Sequence, residues 1–187
     1  NVNPTDIPAV EADENLVLYA CDAASVLSLN MNIEDPVLSN EKVRQAICMA
    51  INKDDIIIGA LEGRGTPANS AIPTVCAGYS SETPGTTFDM ARAKELLAEA
   101  GYPDGVSLKL CLKEDTTNQK VATVIQAYLS MIGIQVEIEL MEGGAYTTAV
   151  YANGDYQMTI SSWSAMFLDA YSVMYTQFHK DCYGGTG

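Results

Sequence analysis

Apolar residues recur along the chain with two different periods, and the changes of period mark out its elements. Val106, Leu108, Leu110 and Leu112 alternate with Ser107, Lys109, Cys111 and Lys113, the two-residue period of a strand with one apolar face. Across residues 118–132 the period lengthens: Val121, Ile125, Tyr128, Leu129 and Ile132 share one helical stripe, which Gly133 closes. Alternation then returns, with Ile134, Val136, Ile138 and Leu140 set against Gln135, Glu137 and Glu139. Strand, helix and strand in so short a span predict a βαβ unit with parallel strands and a right-handed crossover.

Other segments are read in the same way. Ser39 or Asn40 caps a helix over residues 41–51, whose inner face is Val43, Ile47, Ala50 and Ile51. Asn52 opens a second, shorter helix that stops at Gly63, and Asp89 caps a third over 90–100, with Leu96, Leu97 and Ala100 inward and Gly101 and Pro103 ending it. Residues 63–87 are rich in Gly, Pro, Ser and Thr and read as a long ordered loop. The first 25 residues read as loop or crossover with one strand candidate at 16–21, and a second strand is expected at 26–32. A short helix over 145–151 precedes a turn at Gly154-Asp155 and a strand over 156–162. The fold expected from this order is α/β, with parallel or mixed strands flanked by helices.

Composition limits what such a fold does. Ten Lys and Arg face 24 Asp and Glu, for a net charge of −14 spread along the chain. That balance repels phosphate backbones and anionic lipid, so neither nucleic acid nor a membrane surface is expected as a partner. No apolar run approaches the ~18 residues of a membrane span. No basic segment leads into an apolar run, so either the protein is not secreted or its leader lies outside these residues. The five cysteines include no CxxC pair, which removes the usual spacing of a zinc site and leaves at least one thiol unpaired. Most of them read as small core residues.

Few residues suggest chemistry. His179, the only histidine, stands three residues before Cys182. As a thiol–imidazole pair they carry the enzyme alternative, but no second cluster and no GxSxG elbow supports it, and a surface histidine at a helix end is the simpler reading. The segment 63–67, Gly-Arg-Gly-Thr-Pro, lacks the spacing of a phosphate loop and reads as a rigid turn. Neither a metal nor a cofactor is expected. Trp163, the only tryptophan, comes directly after a predicted strand, within Ser161-Ser162-Trp163-Ser164. It serves equally as core or as a wall on which a ligand stacks.

Several segments, in order, carry a resemblance. VRQAICMAINKDDII from Val43 to Ile57, GRGTPA from Gly63 to Ala68 with Ile72-Pro73, FDMARAKELLAEAGYPDG from Phe88 to Gly105, IQAYLSMIGIQV from Ile125 to Val136, and GDYQMTISSW from Gly154 to Trp163 resemble the family-5, or oligopeptide-binding, solute-binding proteins of peptide and nickel ABC importers. Leu29-Asn30-Met31-Asn32 resembles that family's strand ending in Asn. The resemblance implies a periplasmic-binding-protein-like lobe of type II, one of two lobes that close on a ligand. Residues 1–25 would be the end of the first lobe and the crossover, and residues 26–187 most of the second lobe, incomplete at its C-terminal end.

The function it implies is capture of a peptide or similar small solute outside the membrane and delivery to the permease of an ABC importer. The protein would be an extracytoplasmic monomer, periplasmic or anchored as a lipoprotein, with no catalytic activity. The ligand-facing residues would be Ser162, Trp163, Ser164, Met166 and Asp169. Met166 departs from the family, whose peptide binders carry there an Asp that pairs with the peptide ammonium; a thioether cannot neutralise a cation. Asp169 takes over that role only if the loop bends differently. A metal chelate, a sugar or a role as a solute sensor therefore stay open as alternatives.

Overall fold

The computed structural model describes residue 2, residues 6–165 and residues 167–179. Its elements in chain order are α1 (Ile7–Ala12), β1 (Ser25–Met31), α2 (Glu41–Ala50), α3 (Lys53–Ala60), α4 (Met90–Glu99), β2 (Val106–Lys113), α5 (Thr116–Met131), β3 (Ile134–Met141), α6 (Gly143–Thr147), a π-helical turn (Thr148–Asn153), β4 (Met158–Ser164) and α7 (Ala170–Phe178). The strands form one sheet in the order β1-β4-β2-β3. β2 pairs with β3 in parallel from Val106↔Ile134 to Lys113↔Met141, as the change of period predicts. β4 is parallel to β2 and antiparallel to β1, which makes the sheet mixed.

Each long helix starts where a short polar side chain supplies an acceptor. Asn40, Asn52 and Asp89 accept from the amides of Lys42, Asp54 and Arg92, replacing bonds that the first helical turn cannot make internally. α5 begins earlier than its apolar stripe suggests, because Asp115 accepts from the Asn118 amide at 2.8 Å and draws Thr116 and Thr117 into the first turn. Asp115→Ala is expected to lower the unfolding free energy by about 1 kcal/mol in denaturant titration; a change below about 0.3 kcal/mol would show that α5 does not depend on this cap.

One face of the sheet carries Leu108, Leu110, Leu112, Ile134, Met158 and Ile160, buried in a single cluster with the inner faces of α2, α4 and α5. α4 packs on α2, and α3 on α5.

Three expectations need correction. Residues 16–21 form no strand; Leu16, Val17 and Tyr19 are exposed, Tyr19 by 90%. Strand-forming composition makes no strand without a neighbour to pair with. The preceding loop instead holds α1, opened by a proline in its first turn and tied to the 63–65 turn by an Arg64–Glu11 ion pair of 3.0 Å. Cys111, placed by alternation on the polar face, is buried. The cause is α6, far along the chain: Tyr146 lies over this face and its hydroxyl donates to Thr159 Oγ1 at 2.8 Å, while Thr159 donates to the Cys111 carbonyl at 2.8 Å. Finally, β4 starts and ends two residues later than expected. The Gln157 side chain bonds across the sheet end to the Lys109 amide and to Asp35, each at 2.7 Å, and the ladder with β1 runs on to Ser164.

Candidate functional site

Three of the residues expected to face the ligand, Ser162, Trp163 and Ser164, form the C-terminal end of β4. Leu27, Val26 and Ser25 of β1 lie opposite Ser162, Trp163 and Ser164, and the Ala165 amide extends this pairing to the Ala24 carbonyl at 2.7 Å. Trp163 is thus part of the strand, not a residue that follows it. Its position in the alternation puts it on the face of Thr159 and Ser161, away from the buried Met158 and Ile160. It is 40% exposed and belongs to neither buried apolar cluster. Ser162 and Ser164 point to the other face, beyond the cover of the helices, and are exposed. Asn30 completes the polar surround by donating to Ser161 Oγ at 2.8 Å.

The other edge of β4 is open at the same place. Among the described residues, the β2–β4 ladder consists of Leu110↔Met158 and Cys111↔Thr159, and the two strands then part. From Ile160 onward β4 is laddered on its β1 side only. A strand end with one unladdered edge, small polar side chains and a half-exposed tryptophan offers backbone donors and acceptors to an extended ligand, with an apolar surface beside them.

Beyond β4 the chain turns sharply. Leu168 takes a left-handed conformation, φ 52°, and Asp169 opens α7 by accepting from the Ser172 amide at 2.7 Å. Asp169 is therefore brought near the site as a helix cap. Met166 lies outside the described residues, as does Cys182. His179 stands just past α7 and stacks on Tyr175 with ring centroids 4.7 Å apart. The described residues contain no group of three or more His, Cys, Asp and Glu side chains able to hold a metal ion. Burial, reinforced by the Glu139 carboxylate nearby, pushes the Cys111 thiol up to about 11, which keeps it protonated and a poor nucleophile at neutral pH.

Two further grooves lie toward the opposite end of β1 and β4, where Met31 pairs with Met158. One, of about 540 Å³, is lined by Met31, Arg44, Cys48 and Met49 among others. The second, of about 500 Å³, gathers Asp35, Lys109, Glu139 and Asp155. Neither includes a residue expected to face the ligand. What sequence reasoning missed is the loop that backs the site. Ala77 pairs with the residues on either side of Asp169, a contact across some ninety positions that no local pattern announces.

Comparisons with known proteins agree on one family. The profile of bacterial extracellular solute-binding proteins, family 5 Middle, matches residues 1–185. The dipeptide-binding protein of Escherichia coli K12 is 30% identical over 97% of this chain and 37% of its own length. The glutathione-binding protein GsiB of Salmonella choleraesuis is 35% identical over 82% of this chain and 31% of its own length. Among solved structures, the periplasmic binding protein DppA of Helicobacter pylori, in complex with the peptide STSA, superposes with a TM-score of 0.87 at 33% identity, covering 95% of this chain and 34% of that one. The chain thus spans about a third of the length of these relatives.

Proposed function

Because the chain belongs to the family-5 bacterial extracellular solute-binding proteins, we propose that it supplies one wall of a cleft in which the whole protein captures a peptide outside the membrane for delivery to an ABC importer. In this reading residues 1–25 are the end of the first lobe and the crossover, residues 26–187 are most of the second lobe, and the protein acts as a monomer without catalysis. The ligand lies extended along the open edge of β4 at Ser162–Ser164, with Trp163 as its apolar wall.

The observation that carries the reading is the parting of β2 and β4 beside a 40% exposed Trp163. Main-chain pairing to a strand edge recognises any peptide, and side-chain surfaces around it then select. The relatives support the ligand class: one is a dipeptide-binding protein and another was solved with a bound tetrapeptide.

Met166 refines this reading. The sequence supplies no acid there, and the nearby Asp169 already accepts from the Ser172 amide. The peptide amino terminus is therefore not held by a carboxylate at this position, and a blocked terminus should be accepted.

The test offers the full-length protein an equimolar pool of di- to pentapeptides, each with a free and an N-acetylated terminus, and identifies the retained species by mass spectrometry. Retention of acetylated and free forms within about threefold of each other is expected. Met166→Asp should shift the preference toward free amines by about tenfold, the scale of one charge-assisted hydrogen bond. Retention of no peptide would sink the proposal, and strict exclusion of acetylated forms would sink the Met166 argument. Selective retention of a sugar or metal chelate in parallel trials would transfer the reading to that solute.

A further inference from the structure

The long loop between α3 and α4 has no evident reason to touch the far end of β4, yet residues 71–78 of it do. Cys76 is buried in a small cluster with Ala165 and Val173, against which Ala71 and Ile72 pack. The Ala77 amide donates to the Leu168 carbonyl at 2.8 Å, and the Ala170 amide donates to the Ala77 carbonyl at 2.9 Å. Ala77 thus forms a one-residue parallel bridge centred on Asp169. Gly78, at φ +91°, comes so close that a β-carbon on it would stand 2.8 Å from the Ala170 β-carbon.

The bonded segment contains the strained residue. Leu168 sits at φ 52°, a region that a leucine visits only when its surroundings dictate it. Its carbonyl is held by Ala77, and Asp169 and Ala170 are held by the α7 cap and by Ala77. Four residues upstream is Ser164, at the ligand-facing end of β4. Backbone strain held by contacts from a distant loop, next to a binding strand, indicates a conformation kept for use.

We propose that Cys76, Ala77 and Gly78 form a positioning clamp that fixes the left-handed turn at Leu168 and so aims the Trp163–Ala165 end of β4 at the ligand. This rests on the reading that the ligand lies along Ser162–Ser164. The clamp touches the segment behind the site and not the ligand, so it acts through that segment. Binding and clamping are then coupled and, by linkage, reciprocal: ligand tightens the clamp as much as the clamp tightens ligand.

The experiment uses the full-length protein and the peptide it retains best from the pool of free and acetylated peptides. Gly78→Ala is expected to weaken binding about tenfold, mainly through faster dissociation, with cooperative unfolding preserved. Adding Ala170→Gly, which removes the crowded methyl, should recover part of the loss. In the unmodified protein the peptide should slow amide exchange at Ala77 and Ala170 at least threefold more than it slows the core amides of β2 and β3, an excess that a contact serving the fold alone would not give. This second reading decides the matter if Gly78→Ala fails to fold. Binding by Gly78→Ala within twofold of the unmodified protein, or exchange at both amides slowed no more than in the cores of β2 and β3, would overturn the clamp. Trp163→Ala is the control that separates the two failures. If it leaves affinity unchanged, the site itself is misplaced and the clamp falls with it; if it weakens binding while Gly78→Ala does not, only the clamp is wrong.

Discussion

Gly105→Ala is expected to lower the unfolding free energy by about 3–5 kcal/mol, from strain and collision together. Gly105 stands at the entrance to β2, with φ +91°, and an added β-carbon would fall 2.1 Å from the Gly133 carbonyl oxygen. Gly133 closes α5 and precedes β3, and its carbonyl accepts from the Val106 amide at 3.2 Å. Both parallel strands therefore leave their glycines side by side, and the first pair of the ladder, Val106↔Ile134, depends on that approach. The obstacle is backbone on both sides, which has no rotamer with which to move away. Gly101→Ala is the matched control: its φ is similar, +97°, but nothing lies within 4 Å of the added carbon, so only the backbone strain of about 1 kcal/mol remains. Equal losses for the two variants in urea titration would show that close approach at the strand entrance contributes nothing. Since whole domains are stable by only about 5–15 kcal/mol, the larger loss alone approaches the margin of folding.

Trp163→Ala should weaken peptide binding by about 10–100-fold, the range of a central aromatic contact. Its effect on stability should stay near 1 kcal/mol or below, because the ring is 40% exposed and lies outside the main core cluster. Calorimetry and denaturant titration on the same variant separate the two quantities. A large loss of stability with no separate loss of affinity would make Trp163 a core residue and remove it from the site.

The legible part of the fold was the part decided locally. Caps at Asn40, Asn52 and Asp89 follow from short polar side chains ahead of apolar stripes, and the parallel β2–β3 pair from two alternating runs around a helix. What misled was context. Residues 16–21 have the composition of a strand, but no neighbour pairs with them. Cys111 looked outward until α6, contributed from thirty residues further on, covered its face. At the site, residue type drew attention to Trp163 but left core and ligand wall equal; its 40% exposure came only with the fold. The open edge beside it could not be read from sequence, because it depends on where β2 and β4 part. Nor could the Ala77 bridge, whose partners differ by some ninety positions. Asp169 has a role that no sequence pattern singled out: its Oδ1 serves the first turn of α7.

Where a peptide lies on this chain is directly measurable. A peptide of the best-retained sequence, carrying a photoreactive diazirine, can be bound to the full-length protein, activated by light and mapped by mass spectrometry. Labelling within this chain should concentrate on Ser162, Trp163 and Ser164, and unlabelled peptide should suppress it. Competable labelling of the groove at Arg44 and Cys48, or of the groove at Lys109 and Glu139, with residues 162–164 left unmarked, would contradict it.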